Sequence, residues 1–351
     1  MRTVIVPKVT RDAGDLFSYV IHAVESYSLK QGRKVNYLGF SDGRYNNRLY
    51  KFLRLIWHIN KLDGPFYCHS IIWLPLVIKI VKFRKNPKII FWLCNDGTSQ
   101  IKNMPLRKRI IEKLIGNLSL RASSIIVTCS PWVKDEILKY YSITQHADIR
   151  LIPNYVYNAD INFSNYKFNE KRLNVAFISS LQPRKGFEVF ELLTNMFRSE
   201  NEHVRFIIRG SGTLKQQKRA IQIDPDYAKV KNSDAKALLR QVHFLVVPAF
   251  YQGFGRIYLE AMANDCITIL PDIPSVRTWV TEYSTLSDKE KMKLVWCKVD
   301  HRAIYSHIME FTSGSRDYEE VLTVQRKLVS HFTEDRILPL WFEVFNDSKK
   351  V

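Results

Sequence analysis

The segment that decides the fold is residues 248–263, which read PAFYQGFGRIYLEAMA. A buried strand is predicted to end at Pro248, and a loop with two glycines then leads into a helix over 256–263. Glycines in such a loop let the backbone approach a ligand, and the free N–H groups at a helix start favour an anion. Glu260, about one turn into the helix, offers a carboxylate that can accept two ribose hydroxyl hydrogen bonds. An ordinary strand–helix connection explains the loop equally well.

Two further loops follow predicted strands upstream of this segment. Residues 179–186, SSLQPRKG, place Arg184 and Lys185 beside a helix start, where a phosphate would satisfy both cations and the helix. Residues 209–212, RGSG, also follow a strand, although a lone Gly-x-Gly is weak support. A basic turn is more often simply solvated, but loops at the carboxyl ends of strands in one domain can converge.

Short apolar strands alternate with helical patterns along the chain, and the series restarts midway. Strands are predicted at 3–9, 35–40, 66–69, 88–93, 124–128 and 149–152, then, after an irregular stretch at 155–171, at 173–179, 204–209, 243–247 and 266–270. Helices are predicted at 14–31, 106–120, 131–141, 186–199, 233–241 and 256–263. This alternation predicts an α/β chain of two doubly wound, Rossmann-like domains, with the active site in the cleft between them.

The charge of the 351-residue chain is uneven. The 53 Lys and Arg exceed the 34 Asp and Glu to give a net +19, and residues 1–155 hold 25 of the cations but only 10 of the acids. This excess indicates an anionic partner for the first half: nucleic acid, a membrane surface or an anionic substrate. Helical stretches at 50–58 and 104–115 mix cations with large apolar side chains, which suits anionic lipid headgroups. For any one helix, an apolar face in the core with solvated cations is the commoner explanation.

Several classes of protein are disfavoured. The five cysteines are scattered without a C-x-x-C pair, so neither a disulfide framework nor a structural zinc site is predicted, and a reducing compartment is expected. The N-terminal apolar run is too short for a signal peptide. The stretch 71–81 falls short of the roughly 20 residues that span a bilayer. A soluble or peripherally attached protein is expected.

The three loops of the second half resemble, in order and residues, the donor domain of GT-B glycosyltransferases, in particular the large retaining family 4. In that family a Gly-rich strand end, a Lys-Gly pair and a Glu-Gly-Phe-Gly-x4-Glu-Ala-Met-Ala block hold a nucleotide sugar. Residues 151–154, LIPN, resemble its domain-linking strand, and residues 327–346 resemble its closing helices. The resemblance implies a GT-B fold with an acceptor domain at 1–155, a donor domain at 156–325, and a helical segment at 326–351 that packs back on the first domain.

The resemblance also implies roles for individual residues. Lys185 would contact the donor diphosphate, Gln252 the sugar and Glu260 the ribose, and these three are the catalytic candidates. Donor binding is implied for Gly14, Ser180, Arg184, Lys185, Gly210, Gly253, Phe254, Gly255, Arg256 and Glu260, with residues 253–255 supplying backbone amides. Acceptor binding is implied for Asn95, Asp96 and Ser130, which match loops of the family's first domain. His69, at a strand end in the same domain, is a further acceptor candidate, although a lone His is more often structural.

Three positions depart from the family's pattern. Gln252 stands where the family has the first glutamate of a pair, Ser180 where it has a phosphate-binding Arg, and Asn95 where it has a His. Glutamine still forms hydrogen bonds to a sugar but carries no charge. Arg184 can replace the missing Arg from a different angle.

The resemblance implies transfer of a sugar from a nucleotide sugar, UDP- or GDP-linked, to a glycan or lipid-linked acceptor such as lipopolysaccharide, capsule or another surface polysaccharide. Retention of anomeric configuration is expected, with neither a metal ion nor a cofactor. The basic first domain would hold the protein to the cytoplasmic face of the inner or plasma membrane. The departures leave open a catalytically inactive partner subunit. Charge alone leaves open a nucleic-acid-binding protein, for which no recognisable motif is present.

Overall fold

The chain folds into two compact units. The computed structural model describes residues 2–6, 17–30, 32, 35–39, 48–62, 64–69, 72–93, 105–141, 148–163, 173–199, 204–230 and 235–347. The first unit consists of Met1–Pro153 with Ile337–Val351, and the second is Asn154–Arg336. The units therefore divide at 153 and 336, where the sequence analysis expected borders at 155 and 325.

The first unit is built on a six-stranded parallel sheet. Its strands are β1 (Arg2–Val6), β2 (Val35–Gly39), β3 (Phe66–His69), β4 (Ile89–Trp92), β5 (Ile125–Thr128) and β6 (Ile149–Leu151), in the order β2-β1-β3-β4-β5-β6. The helices are α1 (Phe17–Lys30), α2 (Arg48–Lys61), α3 (Leu74–Val81), α4 (Leu106–Ala122) and α5 (Pro131–Tyr140). After β2 every connection runs the same way along the sheet. Right-handed crossovers therefore place α2 to α5 on one face and α1 on the other.

The second unit contains a five-stranded parallel sheet. Its strands are β7 (Leu173–Ile178), β8 (Val204–Arg209), β9 (Phe244–Val246), β10 (Ile267–Pro271) and β11 (Trp296–Cys297), in the order β11-β10-β9-β7-β8. The helices are α6 (Phe187–Ser199), α7 (Leu214–Ile223), α8 (Tyr227–Val230), α9 (Ala235–Leu239), α10 (Arg256–Met262), α11 (Pro274–Tyr283), α12 (Asp288–Lys293), α13 (His301–Thr312) and α14 (Tyr318–Val329).

The order of the second sheet creates a topological switch point. The chain leaves β7 for β8 on one side and returns to β9 on the other side of β7. A crevice therefore opens between the carboxyl ends of β7 and β9, which is where ligands bind in doubly wound sheets. The strands that flank it are apolar and largely buried, as expected for parallel strands covered on both faces.

The last helix, α15 (Glu334–Asn346), joins the first unit from Ile337 onward. Its buried Trp341 and Phe345 form edge-on contacts with Trp92 of β4 and Tyr67 of β3, at 5.8 and 4.9 Å between ring centroids. By contrast, α14 packs against α10 and β10 of the second unit. Only the end of the tail, rather than the whole of 326–351, therefore packs on the first unit. No helix in the described ranges is long and apolar enough to cross a bilayer.

The aromatic contact between α15 and the first sheet predicts a large effect of truncation at Trp341. Trp341→Ala removes the ring from a buried site and should destabilise the protein by about 3–5 kcal/mol. Glu343→Ala, on the exposed side of the same helix, should change stability by less than about 0.5 kcal/mol. Urea unfolding followed by circular dichroism measures both variants. Equal stability of the two would show that α15 does not hold the first unit together.

Candidate functional site

The three strand-end loops of the second unit converge at its switch point. We name them loop A (179–186, after β7), loop B (209–213, at the end of β8) and loop C (247–255, after β9). Backbone hydrogen bonds join them: Ser179 N–H to the Arg209 carbonyl (3.0 Å), Leu181 N–H to the Ser211 carbonyl (2.9 Å) and Phe250 N–H to the Arg184 carbonyl (3.0 Å). Loop A thus lies between loops B and C, and the convergence predicted from the sequence is confirmed.

Two glycines make this close approach of the loops possible. Gly186 has φ +75°, and a Cβ at this position would lie 1.9 Å from the carbonyl oxygen of Pro248 in loop C. Gly210 has φ +147°, and a Cβ there would lie 1.8 Å from the carbonyl oxygen of Ser179 in loop A. Any side chain at either position would push a backbone carbonyl aside, so glycine is required where each pair of loops meets.

The cations of loop A lie at its junction with loop C. Pro183–Lys185 forms a short 3-10 turn that presents Arg184 and Lys185, both half-buried. The Lys185 ammonium donates a hydrogen bond to Oε1 of Gln252, and Arg184 Nε donates to Oε1 of Gln182 at 2.8 Å. The Gln252 amide is neutral, so this hydrogen bond positions Lys185 without cancelling its charge. An ammonium and a guanidinium are groups suited to a phosphate.

Loop C is anchored from beneath by Phe254. Its buried ring stacks on Trp279 at 4.9 Å between centroids and contacts Phe332 edge-on at 5.7 Å. The next residue, Gly255, has φ +82°, and a Cβ there would lie 2.5 Å from the ring of Tyr258. Since the Phe254 side chain lies in the core, residue 254 can contact a ligand only through its backbone.

Glu260 forms a buried ion pair with Arg256. Arg256 Nε lies 2.6 Å from Glu260 Oε1, one turn apart on α10, and each side chain is only 9% exposed. The Glu260 carbonyl accepts a further bond from Asn264 Nδ2 at 2.9 Å. The Glu260 carboxylate therefore compensates the charge of Arg256. A carboxylate has about four lone-pair positions, so this pairing is compatible with additional hydroxyl ligands.

The remaining predicted site residues have different surroundings. Ser130 is fully buried, and its Oγ caps α5 by accepting the Val133 N–H at 3.2 Å, a structural role that accounts for a serine at this position. Ser180 is half-buried in loop A. Gly14, Asn95 and Asp96 lie outside the described residues, as does the side chain of His69.

Loop B is held by residues that the sequence patterns did not reveal. The Tyr227 hydroxyl donates to the Gly210 carbonyl at 2.7 Å, and the buried Asp224 accepts the Ile208 N–H at 2.9 Å. Burial raises the pKa of Asp224. Asp224 directly follows α7 and Tyr227 begins α8, 16 and 17 residues along the chain from their partners, and no local motif marks them. In the described part of the chain, no three His, Cys, Asp or Glu side chains are grouped as metal ligands would be.

The second unit matches a known family. Residues 172–308 match the model of the family described as Glycosyl transferases group 1, and this range contains loops A, B and C. At the level of sequence, no protein of curated function matches the chain.

Solved structures similar to the chain share its fold at low identity. The sucrose-phosphate synthase of Thermosynechococcus elongatus aligns with a TM-score of 0.73 and 14% identity over 98% of both chains. A glycosyltransferase from Rickettsia africae aligns with a TM-score of 0.71 and 13% identity over 99% of both chains. WaaG, a glycosyltransferase involved in lipopolysaccharide biosynthesis, aligns with a TM-score of 0.65 and 9% identity over 99% of this chain and 100% of its own.

The fold and the family match define the class of the protein. The chain has the GT-B fold and is a glycosyltransferase. The residues that match the glycosyl transferases group 1 model, 172–308, lie within its second unit.

A glycine substitution tests the meeting point of loops A and C. Gly186→Ala should lose about 1–2 kcal/mol of stability from the left-handed backbone conformation, plus about 1–3 kcal/mol from the contact with the Pro248 carbonyl. Gly314→Ala is the matched control, because Gly314 has φ +73° but nothing within 4 Å of a Cβ there. Gly314→Ala should therefore lose only the part of the stability that comes from the left-handed backbone conformation. Equal losses in urea unfolding would contradict the close approach of the two loops.

Proposed function

We propose that the chain transfers a sugar from a UDP- or GDP-linked donor to a glycan or lipid-linked acceptor of surface polysaccharide assembly. The convergence of loops A, B and C at the switch point, with Lys185 at their junction, carries this proposal. Two structurally similar proteins support a uridine donor: Anabaena HepE was solved with UDP and glucose, and an E. coli trehalose-6-phosphate protein with UDP-2-fluoro-glucose. WaaG supports lipopolysaccharide as the acceptor class.

The donor diphosphate would bind where loops A and C meet. There Lys185 and Arg184 offer positive charge, and residues 253–255 offer backbone N–H groups from a loop that Phe254 fixes in place. A preorganised set of donors of this kind stabilises charge that develops on the leaving diphosphate. Glu260 would accept the ribose hydroxyls, and Gln252 would contact the sugar while it positions Lys185. In this proposal the cations of loop A take the place of a metal ion.

The chemical step follows from the separation of sugar and diphosphate. The bond from the anomeric carbon to the diphosphate oxygen breaks, and a bond from that carbon to the acceptor hydroxyl oxygen forms on the same face. The acceptor proton passes to the leaving diphosphate, so the protein need not supply a base. The product would therefore retain the anomeric configuration of the donor.

The acceptor would be recognised by the first unit, on the cytoplasmic face of the inner or plasma membrane. The charge of residues 1–155 supports an anionic acceptor or surface for this half of the chain. The second unit carries the donor loops with a nearly balanced charge.

Replacement of Lys185 tests whether the site is catalytic. A thermal-shift screen of UDP-, GDP-, ADP- and CMP-sugars first selects the donor, since a bound donor stabilises the folded protein. With that donor, Lys185→Met should lower kcat for transfer or hydrolysis by about 10²- to 10³-fold, because one preorganised charge at the leaving group is lost. Lys215→Met, at an exposed position on α7, should leave kcat unchanged. Wild-type protein that binds every donor without turnover would identify it as an inactive partner subunit.

The stereochemistry of the product tests the mechanism. NMR of the glycoside formed from an α-linked donor should show an α-linked product, because attack occurs on the face that the diphosphate leaves. An inverted product would require a general base on the opposite face and would exclude the front-face step.

A further inference from the structure

Ten large apolar side chains of the first unit are exposed on three neighbouring helical segments. They are Phe52, Leu53 and Trp57 on α2, Ile80 on α3, Phe83 in the turn after α3, and Leu106, Ile110, Ile111, Leu114 and Leu118 on α4. Helix α3 packs against both α2 and α4, so these side chains lie on one side of the sheet. We call this surface the α2–α4 face. On α1, α5 and α15, Leu29 is the one exposed large apolar residue among the side chains that the structure describes.

Helix α4 exposes five of its seven large apolar residues, whereas Leu120 is buried and Ile115 is half-buried. Leu106, Ile110, Leu114 and Leu118 recur every four residues and therefore form a stripe along the helix, with 63, 58, 61 and 44% of each residue exposed. We call this set the α4 stripe.

The buried residues of α4 are Gly116, Ser119 and Leu120, two of them small. Gly116 faces the ring of Tyr141 so closely that a Cβ would lie 2.2 Å from it, and the buried Ser119 Oγ accepts the Leu76 N–H of α3 at 3.1 Å. The alternative left open by the sequence, an apolar face buried in the core, therefore does not hold for the α4 stripe.

Positive charge is concentrated on the same three segments. Residues 48–61, 74–85 and 106–122 contain thirteen Lys and Arg residues and one acidic residue, Glu112. The sequences of α1 and α5 each carry equal numbers of cations and acids. Most of the excess charge of the first unit therefore coincides with its exposed apolar surface, although the two properties are independent of each other.

We propose that the α2–α4 face binds an anionic lipid bilayer, with the α4 stripe buried at the boundary of headgroups and acyl chains. The exposed cations Arg107, Lys108, Lys113 and Arg121 of the same helix would reach lipid phosphates while their stems cover apolar surface. A basic helix with an exposed apolar stripe gains from both contributions at such a surface. The proposal rests on the proposed function in one respect: membrane binding would bring the enzyme to a lipid-borne acceptor.

Two other partners, a second copy of the chain and nucleic acid, fit this face less well than a bilayer does. In a symmetric dimer a patch meets itself, so the same cationic segments would oppose each other across the interface. Nucleic acid would satisfy the cations through its phosphates, but it would leave an aliphatic stripe of four side chains in water. A bilayer whose headgroups are anionic and whose interior is apolar matches both properties of the face.

Cosedimentation of the full chain with lipid vesicles, without any donor, tests the proposal. The vesicles contain either phosphatidylcholine alone or phosphatidylcholine with phosphatidylglycerol. Wild-type protein should bind the anionic vesicles and bind the neutral ones weakly. The variant Ile110→Gln/Leu114→Gln/Leu118→Gln should lose at least about tenfold in partitioning, because three apolar side chains no longer enter the bilayer.

A matched control variant replaces three exposed aliphatic residues by glutamine elsewhere on the protein. Leu29→Gln/Leu192→Gln/Leu214→Gln alters exposed leucines outside the α2–α4 face and should bind the vesicles within about twofold of wild type. Circular dichroism of both variants should match wild type, since all six positions are exposed. Undiminished binding by the α4-stripe variant, or no binding by wild type, overturns the proposal.

Two further measurements separate this proposal from its rivals. A wild-type dimer in sedimentation velocity that the α4-stripe variant abolishes, without vesicle binding, would assign the face to a second copy and overturn the proposal. DNA binding that persists in the α4-stripe variant, again without vesicle binding, would assign the cations to nucleic acid and overturn it too.

The thermal shift with donor, measured without vesicles, should be the same in wild type and α4-stripe variant. Its absence in both would count against the proposed function alone.

Discussion

The candidate site depends on two places where one loop's backbone touches another's. At Gly186 and at Gly210 there is no room for a Cβ, because a carbonyl oxygen of the neighbouring loop occupies that space. These contacts bring the ends of β7, β8 and β9 together and place Lys185 beside Gln252. The aromatic cluster beneath Phe254 fixes loop C from the other side. The chemistry proposed for the diphosphate requires this rigidity, since preorganised groups stabilise a transition state without rearranging.

The two units differ in how they use charge. In the second unit a few cations are placed individually, and the buried Arg256 is compensated by Glu260. In the first unit charge is spread over α2, α3 and α4 and accompanies exposed apolar side chains. The first pattern suits a small ligand with a localised charge, and the second suits an extended anionic surface. If both proposals hold, separate sets of substitutions would alter substrate binding and membrane attachment.

Much of this architecture is predictable from sequence because its signals are local. Apolar runs place ten of the eleven strands within a few residues and miss the two-residue β11. The Gly-Phe-Gly and Arg-Lys-Gly segments mark loops C and A. The features that local patterns do not reveal depend on contacts between residues that are distant in sequence. Helix α3 lies in the stretch 71–81, whose nearly continuous apolar character suggests neither a helix nor a strand by its period. The supports of loop B, Tyr227 and Asp224, and the border at 336 depend on tertiary packing. The outward turn of the α4 stripe runs against the usual rule that a helix buries its apolar face.

Hydrogen–deuterium exchange on the full chain tests the central claim, that loops A, B and C form the donor site. The comparison is between free protein and protein saturated with the nucleotide sugar that stabilises it. The account predicts that backbone amides of 179–186, 209–213 and 249–256 gain the strongest protection, since these segments surround the diphosphate and sugar. Protection that leaves these three segments unchanged while it appears elsewhere in the second unit would contradict the account.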